Sequence, residues 1–317
     1  MITKRFAGVI AVGVTGLLGA SSALAATQVV TSLKPIELLV KAVAADDVEV
    51  TTLVPPGSSP HNYTMKPSQR RALENADAIF WVGPEMETFL TRLLGDSEFS
   101  GRTHSLMHGE NVPEVEADDD HGHDDHGHGH EEETGHHDHD HGDGEDPHIW
   151  LDPALALEMA RDIHKVLSQQ EGADTDALDA NLKRFEQKLA AAESDITTQL
   201  EPLAGIDLFT YHDAFTRFVE HYGLKLEGVL TLNPELSPGA RHIAEVQEKL
   251  RKANQPCLLT EPQFNRQWWR SITEELDITF STWDPLATDV NSDRDGYIAF
   301  QQSLADAALR CLPENSQ

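Results

Sequence analysis

The chain has 317 residues, with 54 Asp and Glu against 24 Lys and Arg, and a formal net charge of −30. This length allows two domains with separate cores. The charge excludes nucleic acid as a partner, because phosphate binding needs clustered Lys and Arg, and suits a protein that attracts cations.

Residues 1–25 read as a signal peptide. Lys4 and Arg5 form a basic start, Phe6 to Leu18 an apolar run, and Ala23-Leu24-Ala25 a cleavage site, so the mature chain is expected to begin at Ala26. The apolar run is shorter than the ~20 residues that span a bilayer. No cysteine stands directly after the cleavage site to carry a lipid anchor, and nothing later reads as a transmembrane helix. Export makes one disulfide the expected state of the two cysteines, Cys257 and Cys311, contributing roughly 2–4 kcal/mol.

The mature chain alternates strand and helix, the pattern of βαβ units with parallel sheets. Strands are expected at Gln28 to Thr31, Val48 to Val54 and Ala78 to Val82, with helices from Pro35 to Ala44 and from a Ser68 cap to Asn75. Residues 114 to about 146 differ from their surroundings. They hold His121, His123, His126, His128, His130, His136, His137, His139 and His141 among Asp, Glu and Gly, and no Lys or Arg occurs between Arg102 and Arg161. Such a composition forms no core and reads as a disordered loop. It is either an auxiliary metal-binding segment or a solvated insertion.

Order resumes at Asp146, where Asp152 caps a helix with Pro153 at its first position. Leu178, Leu182, Phe185, Leu189, Ile196 and Leu200 then recur at helical spacing from Thr175 to Leu203. At ~1.5 Å per residue this helix would be about 45 Å long, a candidate rigid connector. The alternation then repeats. Strands are expected at Asp207 to Tyr211, Glu227 to Leu230, Cys257 to Thr260 and Thr279 to Trp283. Helices are expected at Ala214 to Tyr222, from Ser237-Pro238 to Lys252, and at Tyr297 to Cys311. The resulting division is an N-terminal α/β lobe (26–172), a long connecting helix (173–204) and a C-terminal α/β lobe (205–317).

Three histidines stand apart from the low-complexity run. His61 lies in a loop after a strand, His148 before a helix, and His212 at a strand end. Ligands of parallel sheets bind beyond the carboxyl ends of strands, and three imidazoles with an open fourth position form a zinc site. Asp152 and Asp213 are candidate acceptors for imidazole N–H groups, and Trp150 and Tyr63 candidate walls against water. Spacing alone does not join histidines scattered over 150 residues.

The motifs go further. Pro-His-Asn-Tyr-Thr-Met-Lys-Pro-Ser (60–68), Asp-Pro-His-Ile-Trp-Leu-Asp-Pro (146–153), Tyr-His-Asp-Ala-Phe-Thr-Arg-Phe (211–218), Glu-Leu-Ser-Pro-Gly-Ala (235–240), Thr-Glu-Pro-Gln-Phe (260–264) and Asp-Pro-Leu-Ala (284–287) occur in this order. With them the chain resembles the cluster A-I metal-binding proteins of bacterial ABC transporters, most closely the periplasmic zinc-binding component of the high-affinity zinc uptake system.

The resemblance implies two lobes joined by one long helix, Zn²⁺ held between them by His61, His148 and His212, a Cys257–Cys311 disulfide, a periplasmic location, and delivery to an inner-membrane ABC permease by a monomeric carrier. In manganese and iron members the position of His212 is typically glutamate, and a third imidazole suits zinc better. Close zinc-binding relatives can carry a glutamate before the first histidine. Pro60 stands there in this chain, which leaves the fourth position to Asp284 or water. Glu261 is a candidate partner behind the ligands. The competing expectations are a zinc hydrolase or hydratase with a three-histidine site, a buffer working through the His-rich loop alone, and a manganese or iron carrier. There is no HExxH helix to support hydrolysis.

Overall fold

The computed structural model describes residues 26–107, 146–231, 239–264, 266–274 and 276–313, with the backbone alone at 266–268 and 271. The expected signal peptide, the His-rich segment with its nine histidines, and the expected helix start at Ser237-Pro238 lie outside the described residues.

Two four-stranded sheets, each wholly parallel, form two lobes. Strands β1 (Thr27–Thr31), β2 (Val48–Thr52), β3 (Ala78–Trp81) and β4 (Thr103–Ser105) take the order β2-β1-β3-β4. Strands β5 (Leu208–His212), β6 (Leu226–Thr231), β7 (Cys257–Thr260) and β8 (Thr279–Thr282) repeat it as β6-β5-β7-β8. The chain reverses direction across each sheet beside β1 and beside β5. Such switch points open a crevice at the carboxyl ends of the strands. Three of the strands, β3 (AIFW), β5 (LFTYH) and β7 (CLLT), are buried throughout, as inner strands of parallel sheets covered on both faces should be.

The helices are α1 (Lys34–Val43), α2 (Pro67–Glu74), α3 (Thr88–Leu94), α4 (Pro153–Leu167), α5 (Thr175–Leu200), α6 (Thr216–His221), α7 (Ala240–Lys252), α8 (Arg266–Thr273) and α9 (Gly296–Leu309). The cap of α2 is Lys66 rather than Ser68, with Pro67 in the first turn and the Gln69 side chain accepting the Lys66 N–H at 2.7 Å. The Asp152 cap of α4 is as expected, accepting the Ala154 N–H at 2.7 Å. The connector α5 stops at Leu200, because Pro202 leads the chain into a short 3-10 turn, Glu201–Gly205. Its 26 residues are therefore about 39 Å long.

The lobes do not meet through a linker alone. Helix α5 buries Leu178, Phe185, Leu189, Ile196 and Leu200 and packs on α1, α4 and α9. One apolar core runs from Val29 in β1 through Trp150 and Phe215 to Trp283, Tyr297 and Phe300. Helix α9 reaches across to α1. At Gly296 a Cβ would lie 2.5 Å from the Asn291 carbonyl oxygen and 2.8 Å from Leu38 Cδ2, so only glycine fits. The Cys257–Cys311 disulfide, with 5.6 Å between Cα atoms, ties the end of α9 to β7.

A polar joint supplements this core. His221 ends α6, with Nδ1 3.1 Å from Asp152 at the start of α4 and Nε2 3.0 Å from Glu193 on α5. Donation from both ring nitrogens requires the imidazolium. The Asp152 hydrogen bond raises the His221 pKa against the opposing effect of burial, and the charges of Asp152 and Glu193 add to the rise. A histidine with a raised folded-state pKa stabilises fully below its ordinary value of 6.5 and loses that contribution as pH rises through the folded value. His221→Ala should therefore lower the thermal midpoint more at pH 6 than at pH 9. A loss of equal size at both pH values would show that the joint does not depend on the charge.

Candidate metal centre

The three histidines from the separate motifs converge between the lobes. His61 sits in the loop after β2. His148 caps a short 3-10 turn, Ile149–Leu151, that leads into α4. His212 is the last residue of β5. One ring nitrogen from each lies within 4.8 Å of the others. His148 Nε2 and His212 Nε2 are 3.4 Å apart, and the ring centroids are 5.3 to 5.8 Å apart. Two nitrogens at ~2.0–2.1 Å from one tetrahedral ion would be ~3.4 Å apart, so this pair already stands at a coordination edge.

The other nitrogen of each close pair is held by a carboxylate. His212 Nδ1 is 2.5 Å from Glu261 Oε1, and both residues are buried. Sheet register produces this pair. Thr210 stands opposite Leu259 in the β5–β7 ladder, so two residues further on His212 meets Glu261. His148 Nδ1 is 2.8 Å from Asp146 Oδ1, which also accepts the His148 backbone N–H at 3.0 Å. That is an Asx turn, with Pro147 at its centre.

An ionised carboxylate only accepts, so in both pairs Nδ1 carries the proton, and Nε2 is the nitrogen that offers a lone pair whenever the ring is neutral. Burial pushes the Asp146 carboxyl up, but the His148 bond and the charges of His148 and Arg217 outweigh it and hold the group below its ordinary range. Arg217 on α6 also donates to the Asp146 carbonyl through Nε at 2.9 Å and through Nη2, which anchors the His148 loop to the other lobe. Burial foremost, then the repulsion from His148 and His212 when those rings are protonated, pushes His61 down to about 3. Its imidazole therefore stays neutral and able to ligate.

The cavity these rings share is walled by Pro60, Trp150, Phe264 and Leu286. Trp150 stands edge-on to His148 at 5.4 Å, and Phe264 edge-on to His212 at 5.6 Å. Tyr63 was expected in this wall. It packs on Phe89 instead, with its hydroxyl bonded to the Gln69 amide.

The remaining expected residues fall elsewhere. Asp284 does not join the three histidines. Its Oδ1 accepts from Gln263 Nε2 at 2.7 Å and Leu286 N–H at 3.1 Å, and its Oδ2 from Thr288 N–H at 2.6 Å. Asp152 does receive an imidazole, but that of His221. Asp213 is buried and accepts the Thr216 hydroxyl at 2.6 Å, while the neighbouring His212 ring turns to Glu261. Asp146 is the partner that sequence reasoning missed. The signal was present in Asp-Pro-His, since an Asp two residues before a histidine readily closes an Asx turn.

Comparison with known proteins places the chain in a family. The family described as Zinc-uptake complex component A periplasmic matches residues 29–311. The high-affinity zinc uptake system protein ZnuA of Yersinia pestis is 35% identical over 299 residues, covering 91% of this chain and 92% of its own length. Its namesake in Brucella abortus (strain 2308) is 31% identical over 319 residues, covering 94% and 96%. A crystal structure of ZnuA superposes with a TM-score of 0.68 at 23% identity, over 89% of this chain and 99% of that one, a likeness of fold. The chain belongs to the periplasmic component A family of zinc-uptake complexes.

Proposed function

We propose that the chain captures Zn²⁺ between its lobes through His61, His148 and His212, and hands it as a monomer from the periplasm to an inner-membrane ABC permease for import. The observation that carries this reading is the pair of Nε2 lone pairs 3.4 Å apart, with a third imidazole beside them and a carboxylate behind each of the two. Imidazole donors suit zinc better than the hard cations manganese and magnesium. The carboxylates of Asp146 and Glu261 balance the two charges of the ion without ligating it. Water is the proposed fourth ligand, since Asp284 is held by three donors.

A hydrolytic reading needs a base beside the metal-bound water. Glu261 is committed to His212, and Asp284 to Gln263 and two backbone amides, so the geometry favours carriage. The His-rich segment is proposed to bind further Zn²⁺ loosely and to raise its supply near the cleft.

Calorimetric titration with Zn²⁺ tests both parts. The His61/His148/His212→Ala variant should lose one tight site and keep the weak ones. Deleting residues 117–145 should do the reverse. A tight site that survives the triple substitution would move the function to the His-rich segment, and an unchanged stoichiometry after deletion would remove that segment's auxiliary role.

The carboxylates behind the ligands orient and polarise them, and loss of such partners typically costs 10–100-fold in metal affinity. Asp146→Asn and Glu261→Gln should each weaken Zn²⁺ binding by roughly that factor while one ion still binds. Affinities unchanged in both variants would mean that the imidazoles are oriented by packing alone.

A further inference from the structure

Gln263 lines the metal cavity and also touches the carboxylate that the sequence placed nearest a fourth coordination position. Its Nε2 donates to Asp284 Oδ1 at 2.7 Å. A carboxylate offers no proton, so this bond fixes which way round the amide stands, with nitrogen toward Asp284 and Oε1 away from it. Gln263 Oε1 is fully buried and has no partner among the described residues. It is the one such orphaned side-chain atom in the cavity lining. Buried polar atoms are normally bonded, so an acceptor left bare on a residue that lines the histidine cavity points to a donor or cation that is not part of the chain.

The segment carrying Asp284 is itself pinned across the lobes. Trp150 Nε1 donates to the Pro285 carbonyl at 2.8 Å, and Lys34 Nζ to the Thr288 carbonyl at 3.0 Å. With Leu286 and Thr288 amides on its oxygens as well, Asp284 is held by three donors, of which Gln263 is the side-chain one.

We propose that Gln263 sets the fourth coordination position: it holds the Asp284 carboxylate back from the cargo and offers its own neutral amide oxygen as an acceptor to the metal-bound water there. This rests on the zinc-carrier reading and deepens it. A site of three imidazoles and one neutral oxygen has no anionic ligand, whereas a released Asp284 would add a hard anionic oxygen of the kind Mn²⁺ prefers. Gln263 is thereby a specificity-determining residue.

The test uses the full mature chain, metal-free, as wild type, Gln263→Ala, Asp284→Asn and the double variant. Each is titrated with Zn²⁺ and with Mn²⁺, and each is loaded with Co²⁺, whose visible bands weaken as coordination rises above four. Gln263→Ala should raise Mn²⁺ affinity relative to Zn²⁺ by roughly tenfold or more, the size of effect that groups around a metal typically exert. It should also change the Co²⁺ spectrum, shifting the bands where one carboxylate oxygen replaces the neutral one and weakening them where both carboxylate oxygens bind. Both changes should vanish in the double variant. Asp284→Asn alone should leave Zn²⁺ affinity within a few-fold of wild type.

Gln263→Leu, of similar volume, repeats the comparison if the alanine variant folds poorly. An unchanged metal preference and Co²⁺ spectrum, changes that persist in the double variant, or a large loss of Zn²⁺ affinity in Asp284→Asn would each overturn the proposal. A wild type that binds no Zn²⁺ tightly would overturn the carrier reading, whereas failure of the variant comparison with tight wild-type binding overturns the Gln263 role alone.

Discussion

Two imidazole lone pairs, on His148 and His212, face each other across 3.4 Å, and the centre of this molecule follows from that confrontation. Neither ring can turn its proton inward to relieve it, because Asp146 and Glu261 hold the Nδ1 protons on the far sides. With both rings neutral and nothing between them, the arrangement is repulsive, and a proton or a metal ion shared by the two nitrogens relieves it. With a divalent cation the same arrangement supplies two ligands, fixed in tautomer and direction, and two compensating charges. His61 completes the group, and its burial keeps it neutral, so it presents a ligand rather than a third positive charge.

Holding such a pair together demands a scaffold that does not yield. Each histidine is fixed by a different local device: the end of a buried strand for His212, an Asx turn for His148, and the loop after β2 for His61. The lobes that carry them share one apolar core. Around Trp150 the join is also polar, with Tyr297 Oη donating to the Trp150 carbonyl at 2.9 Å and Gln301 Nε2 donating to Tyr297 Oη at 2.8 Å. The joint at His221 lies on the elements that lead away from His148 and His212, since Asp152 follows the first by one short turn and α6 follows the second.

Much of this was legible in the sequence, and the exceptions have physical reasons. Strands such as AIFW and CLLT announce themselves as apolar runs, and the connector by its repeating Leu and Phe. Strand β4 does not. It is three half-buried residues, Thr-His-Ser, at a sheet edge, stabilised by pairing with β3 rather than by any pattern of its own. The short helices α3 and α8 were equally silent, since seven or eight residues are too few for a clear period. The histidines could be grouped only through the motifs around them, because no spacing rule joins residues 61, 148 and 212. The Gln263 partner of Asp284 is a tertiary fact, 21 residues away, whereas its Leu286 and Thr288 N–H partners are local, the first closing the same Asx turn that Asp146 makes. Asp146 was readable from Asp-Pro-His, and was passed over because the residues after His148 drew the expectation instead.

Zinc K-edge X-ray absorption on the chain loaded with one equivalent of Zn²⁺ tests the central claim most directly. The account predicts three imidazole nitrogens at ~2.0–2.1 Å and one further light ligand, with the imidazole signal lost in the triple histidine variant. A shell with fewer than three imidazoles, or one dominated by carboxylate oxygens, would contradict it.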